Sequence, residues 1–410
     1  MVNTGSIAFM ILCSTYVFIM TPGLAFFYGG LSQRKNVVNT MMMSICIMGL
    51  AAFLWVLCGY SLSFSGDSLG GLIGDFKWFG FNGVSMTEAG PYADEIPNAC
   101  FAWFQMMFAL ITPALFTGAV AGRMKFKAIF PFIGLWLFLV YFPMAHMVWG
   151  RGFIDAKLHA VDFAGGNVVH ISSGITALIL CLLVGPRKGF RKGKNFLPHN
   201  IPFIVLGAAL LWFGWFGFNG GSALAANGLA IHACFTSNTS AATAMLMWML
   251  IDTIKDGKPT LIGACTGAVA GLVAITPAAG FVPIWASFVF GIVVTPVCYF
   301  SISVLKQKIG YDDALDAFSC HGVGGIVGCI LTGIFADPAI NGQTGLIFGG
   351  ASLFIAQLLS IVVTAIVAVV GTFIAIGIVR IFTKLRVDEE EEYVGLNSSE
   401  HSEIPYPSMM

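Results

Sequence analysis

Residues 195–251 read NFLPHNIPFIVLGAALLWFGWFGFNGGSALAANGLAIHACFTSNTSAATAMLMWMLI, without a single Asp, Glu, Lys or Arg. About 20 predominantly apolar residues carry a helix across the hydrocarbon core of a bilayer. The stretch is too long for one crossing, and it breaks near Asn219-Gly220-Gly221. It therefore reads as two membrane-spanning helices joined by a short connection.

The rest of the chain repeats this pattern. Eight further charge-free stretches cover 1–33, 36–66, 96–122, 128–150, 163–186, 259–305, 317–336 and 338–379. The stretch 259–305 is again too long, and it breaks at Thr276-Pro277-Ala278-Ala279-Gly280. The expected fold is an all-α polytopic membrane protein of eleven transmembrane helices, an odd number that puts the termini on opposite sides. Composition agrees: 57% of the 410 residues are hydrophobic and 10% are charged, against about 25% charged in soluble domains. That deficit excludes an ordinary soluble enzyme, a disordered chain and a nucleic-acid binder. The 20 Lys+Arg balance the 20 Asp+Glu, so no global field recruits an anionic partner. The 49 glycines follow no collagen period; in a membrane protein, glycine lets helices approach closely.

Lys and Arg orient the bundle, because they concentrate in cytoplasmic connections. Alternate connections hold Arg34/Lys35, Arg123/Lys125/Lys127, Arg187/Lys188/Arg191/Lys192/Lys194, Lys255/Lys258, Lys306/Lys308 and Arg380/Lys384/Arg386, which is 17 of the 20. The other side holds Lys77, Arg151 and Lys157. The N-terminus is expected outside and the C-terminus in the cytoplasm, in the cell (plasma) membrane. No basic segment or small-residue cleavage site marks a cleaved signal peptide. Ten cysteines are scattered, mostly within spans, as small apolar packers; whether Cys100 and Cys234 pair is left open. Residues 65–98 form a polar outer loop, and 387–410 a polar tail with the acidic run Asp388-Glu389-Glu390-Glu391-Glu392. Such a run is ordinarily solvated; the alternative is a cytoplasmic regulatory element.

Ionisable residues inside a span are costly and usually functional. Asp162 opens one span and His170 follows eight residues later; Asp313 opens another and His321 again follows by eight. The first pair lies on the fifth helix and the second on the tenth. Five helices followed by five of opposite orientation make an inverted repeat, which places a site near the midplane between the halves. The two histidines are expected to face each other there. A haem held by both imidazoles is a weaker reading, since nothing marks room for a macrocycle. A retinal Schiff base needs a lysine inside a span, and the sequence places none there. No cofactor or metal is expected, and the dispersed His146, His159, His199, His232 and His401 offer no catalytic constellation.

Aromatics form a second constellation. Phe104 and Phe108 stand one turn apart with Gln105, Trp149 ends the fourth helix, and Trp212-Phe213-Gly214-Trp215-Phe216-Gly217-Phe218 ends the sixth just before Ser222. Any one interfacial aromatic is ordinarily an anchor. Together, near an outer Ser222, they predict a cup that attracts a small cation by cation–π interaction, about 0.5–2 kcal/mol per ring.

These residues resemble the Amt/Mep/Rh ammonium transporter family. The resemblance is carried by 23–31 (GLAFFYGGL), 104–108 (FQMMF), 145–150 (AHMVWG), 162–170 (DFAGGNVVH), 215–222 (WFGFNGGS) and 321–328 (HGVGGIVG). It covers nearly the whole chain and points to the Amt branch, because Rh proteins typically have another helix and lack a tryptophan matching Trp149. It implies that Phe108, Trp149 and Ser222 form the outer ammonium site with Phe104 beside it. Phe108 and Phe218 are then a stacked gate, Asp162 orders the site with Asp313 its counterpart, and His170 and His321 are a pore proton relay. It further implies a membrane-embedded homotrimer in lipid. The tail, Val387 to Tyr406, resembles one that cooperates with a PII-type signal protein; Gly395-Leu396 fits, and His401-Ser402-Glu403 departs from the usual His-Gly-Glu. Expected divisions are a transporter domain, 1–386, with repeats at about 1–186 and 195–336, an eleventh helix at about 346–384, and the tail 387–410. The expected function is ammonium transport: capture of the cation outside, deprotonation, and passage of ammonia with separate proton transfer. Alternatives are a passive ammonia channel and an ammonium sensor; an enzyme is not expected.

Overall fold

The computed structural model describes residues 1–193 and 196–406. Lys194 and the last four tail residues, 407–410, lie outside them. In chain order the rods are α1 Thr4–Leu31, α2 Arg34–Phe64, α3 Asn98–Val120, α4 Phe126–Trp149, α5 Gly166–Val184 and α6 Ile201–Gly221. They continue as α7 Gly228–Asp256, α8 Leu261–Ile275, α9 Ala286–Ile309, α10 Phe318–Phe335 and α11 Ala351–Phe382. Among the described residues, nine rods are long and apolar enough to cross a membrane. The expected count of eleven adds α8, apolar but 15 residues long, and α7, 29 residues long and more polar. Both expected breaks are present: α6 stops at Gly221, and α8 stops at Ile275 just before Thr276-Pro277.

The two halves share local devices. Asn3 caps α1, accepting from Gly5 and Ser6 N–H, and Asn200 caps α6, accepting from Phe203 N–H. α4 and α9 each contain a five-residue π-helical turn, at Leu137–Tyr141 and Ser301–Leu305. α5 and α10 each open on a six-residue π turn, Gly166–Ile171 and Phe318–Val323. π turns inside helices commonly mark functional positions, and these two hold His170 and His321.

Glycine sets the distances between the halves. A Cβ on Gly207 of α6 would stand 2.2 Å from the Phe27 amide nitrogen of α1, and one on Gly30 would stand 2.6 Å from the Asn200 carbonyl oxygen. A Cβ on Gly174 of α5 would stand 2.1 Å from the Gly322 nitrogen of α10. Only bare backbone permits such contacts, as in closely packed membrane helices. α11 lies outside the repeat but is strapped to the first half by hydrogen bonds. Gln357 bonds both the N–H and the carbonyl of Val161, at 3.0 and 2.9 Å, and Thr364 donates to Asn167 Oδ1 at 3.1 Å.

The acidic tail is not simply solvated. It forms α12, Glu389–Val394, and α13, Leu396–His401, and both dock on the basic connections. Glu392 pairs with Arg386 at 2.6 Å, Glu389 with Lys188 at 2.7 Å and Glu391 with Lys125 at 3.4 Å. The Lys188 hydrogen bond holds the Glu389 carboxyl below its ordinary range. Asn397 Oδ1 accepts from Val38 and Asn39 N–H, and Tyr406 meets His199 at 2.9 Å. Ser402, where the resembled family has glycine, takes the left-handed conformation at φ 56°. The basic connections 34–35, 123–125 and 187–188 thus share one face with the tail. The N-terminus lies at the other end of α1, where Asn3 N–H donates to the Glu95 carbonyl of the 65–98 loop. All described cysteines are free, Cys100 and Cys234 included.

Beneath the tail lies a buried ionic knot. Asp312 accepts from Arg187 Nε and Nη2 at 2.8 and 2.7 Å, and buried Arg123 donates to the Asp312 carbonyl. Burial alone would raise the Asp312 carboxyl, but the Arg187 hydrogen bonds and the Arg123 and Arg187 charges outweigh it and hold the group low. A depressed carboxyl stabilises the fold above its ordinary value of 3.8 and loses that contribution as pH falls through the lower folded value. Removing one partner of a buried pair typically costs about 3–5 kcal/mol. Asp312→Ala should therefore lower thermal stability in detergent by that order at neutral pH, and the difference from wild type should shrink as the pH drops below about 4. Equal melting at neutral pH would show that the knot holds nothing.

Candidate functional site

The Gly174–Gly322 contact brings α5 and α10 together, and the two histidines meet. His170 Nδ1 and His321 Nδ1 lie 3.3 Å apart, with ring planes within 15° of each other. Both rings are buried. Gly325 supports the pair, since a Cβ there would stand 3.0 Å from His170 Cβ. Only one of the facing nitrogens carries the shared hydrogen, so one imidazole donates and the other accepts. The His170 Nε2 atom has no protein partner.

The pair lines a narrow apolar cavity with Trp215, Phe218, Ile111 and Leu115. Its free space, ≈ 20 Å³ for the centre of a water-sized sphere, admits about one small molecule. His170 stacks on Trp215 at 5.6 Å and 22°, and Trp215 is fixed by donating from Nε1 to Thr276 Oγ1 at 2.9 Å. On the side toward the 65–98 loop, Phe218 and Phe108 close the cavity. Their centroids are 4.4 Å apart and the rings are tilted by 40°, where the resemblance implies stacked rings.

Above that closure is an outer pocket of ≈ 280 Å³ lined by Trp149, Ser222, Gln105 and Phe163, with Tyr92, Arg151 and Asp155 at its wall. Trp149 meets Phe108 edge-on at 5.5 Å and is oriented by donating from Nε1 to the Asp162 carbonyl at 2.9 Å. Ser222 donates to the Phe218 carbonyl at 2.8 Å, leaving its oxygen lone pairs for a donor. Phe104 is fully buried and packs behind Phe108 at 5.0 Å, so it does not line the pocket. Gln105, absent from the expected site residues, does line it, and its buried Oε1 has no partner. The signal was present: Gln105 lies three residues before Phe108, one helical turn.

The expected cup also needs correction. Trp212 lines a separate apolar groove with Met245 and Met249, and Phe213 is half-exposed. Helical geometry explains the split. Leu211, Trp215, Phe218 and Ser222 are spaced by four, three and four residues, one stripe of a helix, and that stripe alone faces the cavity and the outer pocket.

Asp162 does not line the cavity or the outer pocket. Its Oδ1 accepts from Gly165 and Gly166 N–H at 2.7 and 2.6 Å, and its Oδ2 from Asn167 and Val168 N–H at 2.7 and 3.3 Å. It satisfies the donors that a helix start leaves unpaired, and Gly165 at φ 130° makes the turn that allows it. Asp313 does this more sparingly: Oδ2 accepts from Phe318 N–H at 2.6 Å, and Oδ1 is buried without a partner.

Fold and site define a polytopic helical membrane protein with a narrow apolar cavity, closed by aromatics on one side and lined by two facing imidazoles. The profile of the Ammonium Transporter Family matches residues 8–406, and the chain belongs to that family. An ammonium transporter of Bacillus subtilis (strain 168) is 48% identical over 409 residues, covering 99% of both chains. The crystal structure of Saccharomyces cerevisiae Mep2 superposes with a TM-score of 0.89 at 37% identity, covering 95% of this chain and 88% of that one. A structure titled Sensor Amt Protein gives a TM-score of 0.89 at 27% identity, covering 97% and 98%. The protein is a multi-pass member of a transporter family, not an enzyme.

The Asp162 cap carries its own test. Asp162→Ala strands four backbone donors in a buried site, and we expect a loss of about 2 kcal/mol or more in thermal unfolding of the detergent-solubilised protein. Asp162→Asn keeps one acceptor oxygen and should lose less. An Ala variant as stable as wild type would contradict the capping role.

Proposed function

We propose that this protein carries ammonium across the plasma membrane by capturing the cation outside, deprotonating it at the aromatic closure, and passing ammonia and the proton separately. The observation that carries the reading is the imidazole pair set in an apolar conduit. A bare cation pays a large desolvation cost in such a conduit. Potassium resembles ammonium in size and charge but has no proton to give up, so apolar walls discriminate where diameter alone does not.

Each residue then has a task. Trp149 offers its ring face at the outer pocket, Phe108 packs against it from below without lining the pocket, and Ser222 and Gln105 offer oxygens to a cation's N–H groups. Phe218 with Phe108 separates that pocket from the conduit. With Nδ1–H of one imidazole donating to Nδ1 of the other, the first ring's Nε2 is an acceptor and the second ring's Nε2 a donor. A proton taken up at one Nε2 and released at the other reverses both tautomers, which is a relay. Asp162 and Asp313 hold the starts of the two helices that carry the rings.

The Lys and Arg asymmetry supports an N-terminus outside and a C-terminus in the cytoplasm, and the family resemblance supports a homotrimer and a PII-type cytoplasmic partner docking near the tail. The charge-free stretches support eleven crossings, the transporter domain 1–386 and the tail 387–410. A passive ammonia channel differs by moving no net charge, and a pure sensor by moving neither ammonia nor charge. Ammonium pulses on purified protein in a solid-supported membrane decide: the proposed mode gives a sustained current, and its absence alongside ammonia flux establishes the passive one.

Two substitutions test the parts. Trp149→Leu removes a cation–π contact of about 0.5–2 kcal/mol, so the half-saturating ammonium concentration should rise about 2- to 30-fold; an unchanged dependence contradicts the outer site. His170→Glu or His321→Glu puts a chargeable carboxylate in the conduit, which offsets part of a cation's desolvation cost. These variants should conduct potassium under potassium pulses, whereas the double Ala variant should lose ammonium current. Potassium-tight Glu variants, or normal current in the double Ala variant, would rule out the separated-proton route.

A further inference from the structure

The connection 150–161 between α4 and α5 is more charged and more constrained than a plain turn needs to be. It holds Arg151 and Lys157, two of the three basic residues outside the basic connections, together with Asp155 and His159. Arg151 and His159 take the left-handed conformation, at φ 61° and 56°, and bracket a π-helical turn, Ile154–Leu158. Residues with a Cβ stay in that region where their surroundings hold them, and such positions cluster at functional sites. The holding contacts are explicit here. Phe153 N–H donates to the Gly71 carbonyl of the 65–98 loop at 2.8 Å, Gly152 N–H to the His146 carbonyl at 3.0 Å, and His159 N–H to the Asp155 carbonyl at 3.1 Å. Ile154 is fully buried beneath them. Asp155 therefore sits on a fixed turn.

That turn places Asp155 in the wall of the outer pocket, with Trp149, Ser222 and Gln105. The Asp155 carboxylate is partly buried, and among the described residues it makes neither a hydrogen bond nor an ion pair. Arg151 is the nearest candidate to neutralise it, but Arg151 is drawn toward the 65–98 loop. Its Nη2 donates to the Pro91 carbonyl at 2.6 Å, and its guanidinium lies 5.4 Å from the centre of the Tyr92 ring. Burial raises the Asp155 carboxyl, and the Arg151 and His159 charges offset part of that. A carboxylate withdrawn from water without a partner is costly, and a positive ligand in the pocket relieves the cost. The buried Gln105 Oε1 is a second unpartnered acceptor on the same pocket, and it calls for a ligand that donates N–H groups. We infer that Asp155 supplies the fixed negative charge of the outer pocket and sets its affinity for ammonium. The aromatic rings and Ser222 bring no formal charge, so Asp155 adds a term that they cannot. The inference rests on the outer pocket being the capture site proposed above.

The experiment reads the half-saturating ammonium concentration and the maximal current of the purified full-length protein in a solid-supported membrane. If wild type passes no current, ammonia flux into vesicles gives the same two quantities. D155N should raise the half-saturating concentration about 3- to 10-fold, the scale of one charge a few ångströms from a partly solvated cation, and leave the maximal rate unchanged. D155E keeps the charge and should stay near wild type. E88Q removes the same charge from an exposed position of the 65–98 loop that does not line the pocket, and should shift nothing. A D155N dependence equal to wild type, where W149L shifts it, overturns the inference and leaves the capture site standing. If neither variant shifts it, the capture site itself falls and the inference falls with it. Equal shifts in D155N and E88Q reveal a general surface field and overturn the pocket assignment. A damaged fold lowers the maximal rate instead; a D155N variant that does so at unchanged half-saturation makes Asp155 structural and overturns the inference. If both quantities move, D155E must restore the half-saturating concentration, and its failure to do so is equally decisive against the proposal.

Discussion

The contact of Gly174 with the backbone of Gly322 fixes how near α5 and α10 approach, and the imidazole pair depends on that distance. A methyl group at Gly174 would fall 2.1 Å from the Gly322 nitrogen, far inside van der Waals contact. The helices would have to separate. Hydrogen bonds fall off steeply with distance, and the facing nitrogens already stand at 3.3 Å. A shift of a few tenths of an ångström would uncouple the rings. Two residues without side chains therefore govern the chemistry available to two residues that have reactive ones.

The same economy appears where the helices begin. A chain crossing hydrocarbon must satisfy its backbone polar groups internally. α5 starts inside the protein, so water is not at hand for its first amides, and Asp162 serves four of them. Its carbonyl also holds Trp149. One residue thus fixes the start of the helix carrying His170 and the orientation of the outer indole, without lining the conduit itself.

Much of this was legible in the sequence because bilayers impose a one-dimensional rule. Charge-free length marks crossings, and the breaks near Asn219–Gly221 and at Thr276–Gly280 fall where α6 and α8 stop. The paired Asp–His spacings of eight also located the imidazole pair. Three things were hidden. The aromatic string of α6 read as one cup, although a helix turns successive residues away from each other, and only the stripe through Trp215, Phe218 and Ser222 faces inward. Gln105 was adjacent to residues already singled out, but nothing in a single sequence says which way it points. The docking of Glu389, Glu391 and Glu392 on Lys188, Lys125 and Arg386 joins segments far apart in the chain, and a charge run alone does not name its partners.

The halves share a frame but not their ends. Between Asp162 and His170 the chain runs through Gly165 at φ 130°, and both carboxylate oxygens are used by backbone amides. Between Asp313 and His321 the left-handed position falls on Asp316 at φ 61°, which pairs with Lys306 at 2.7 Å, and Asp313 keeps one oxygen buried and unpartnered. Asp316 lines both the cavity and a separate pocket on the basic face, which Arg187 and Lys306 also line, whereas the opposite end of the cavity is closed by Phe108 and Phe218. A charged pair holds water near it more strongly than aromatic rings do. The repeat therefore builds one symmetric centre with two unlike approaches, dry and aromatic on one side, ionic and wettable on the other. A symmetric pair of imidazoles has no intrinsic direction, so on the proposed route any difference between inward and outward passage must come from those approaches.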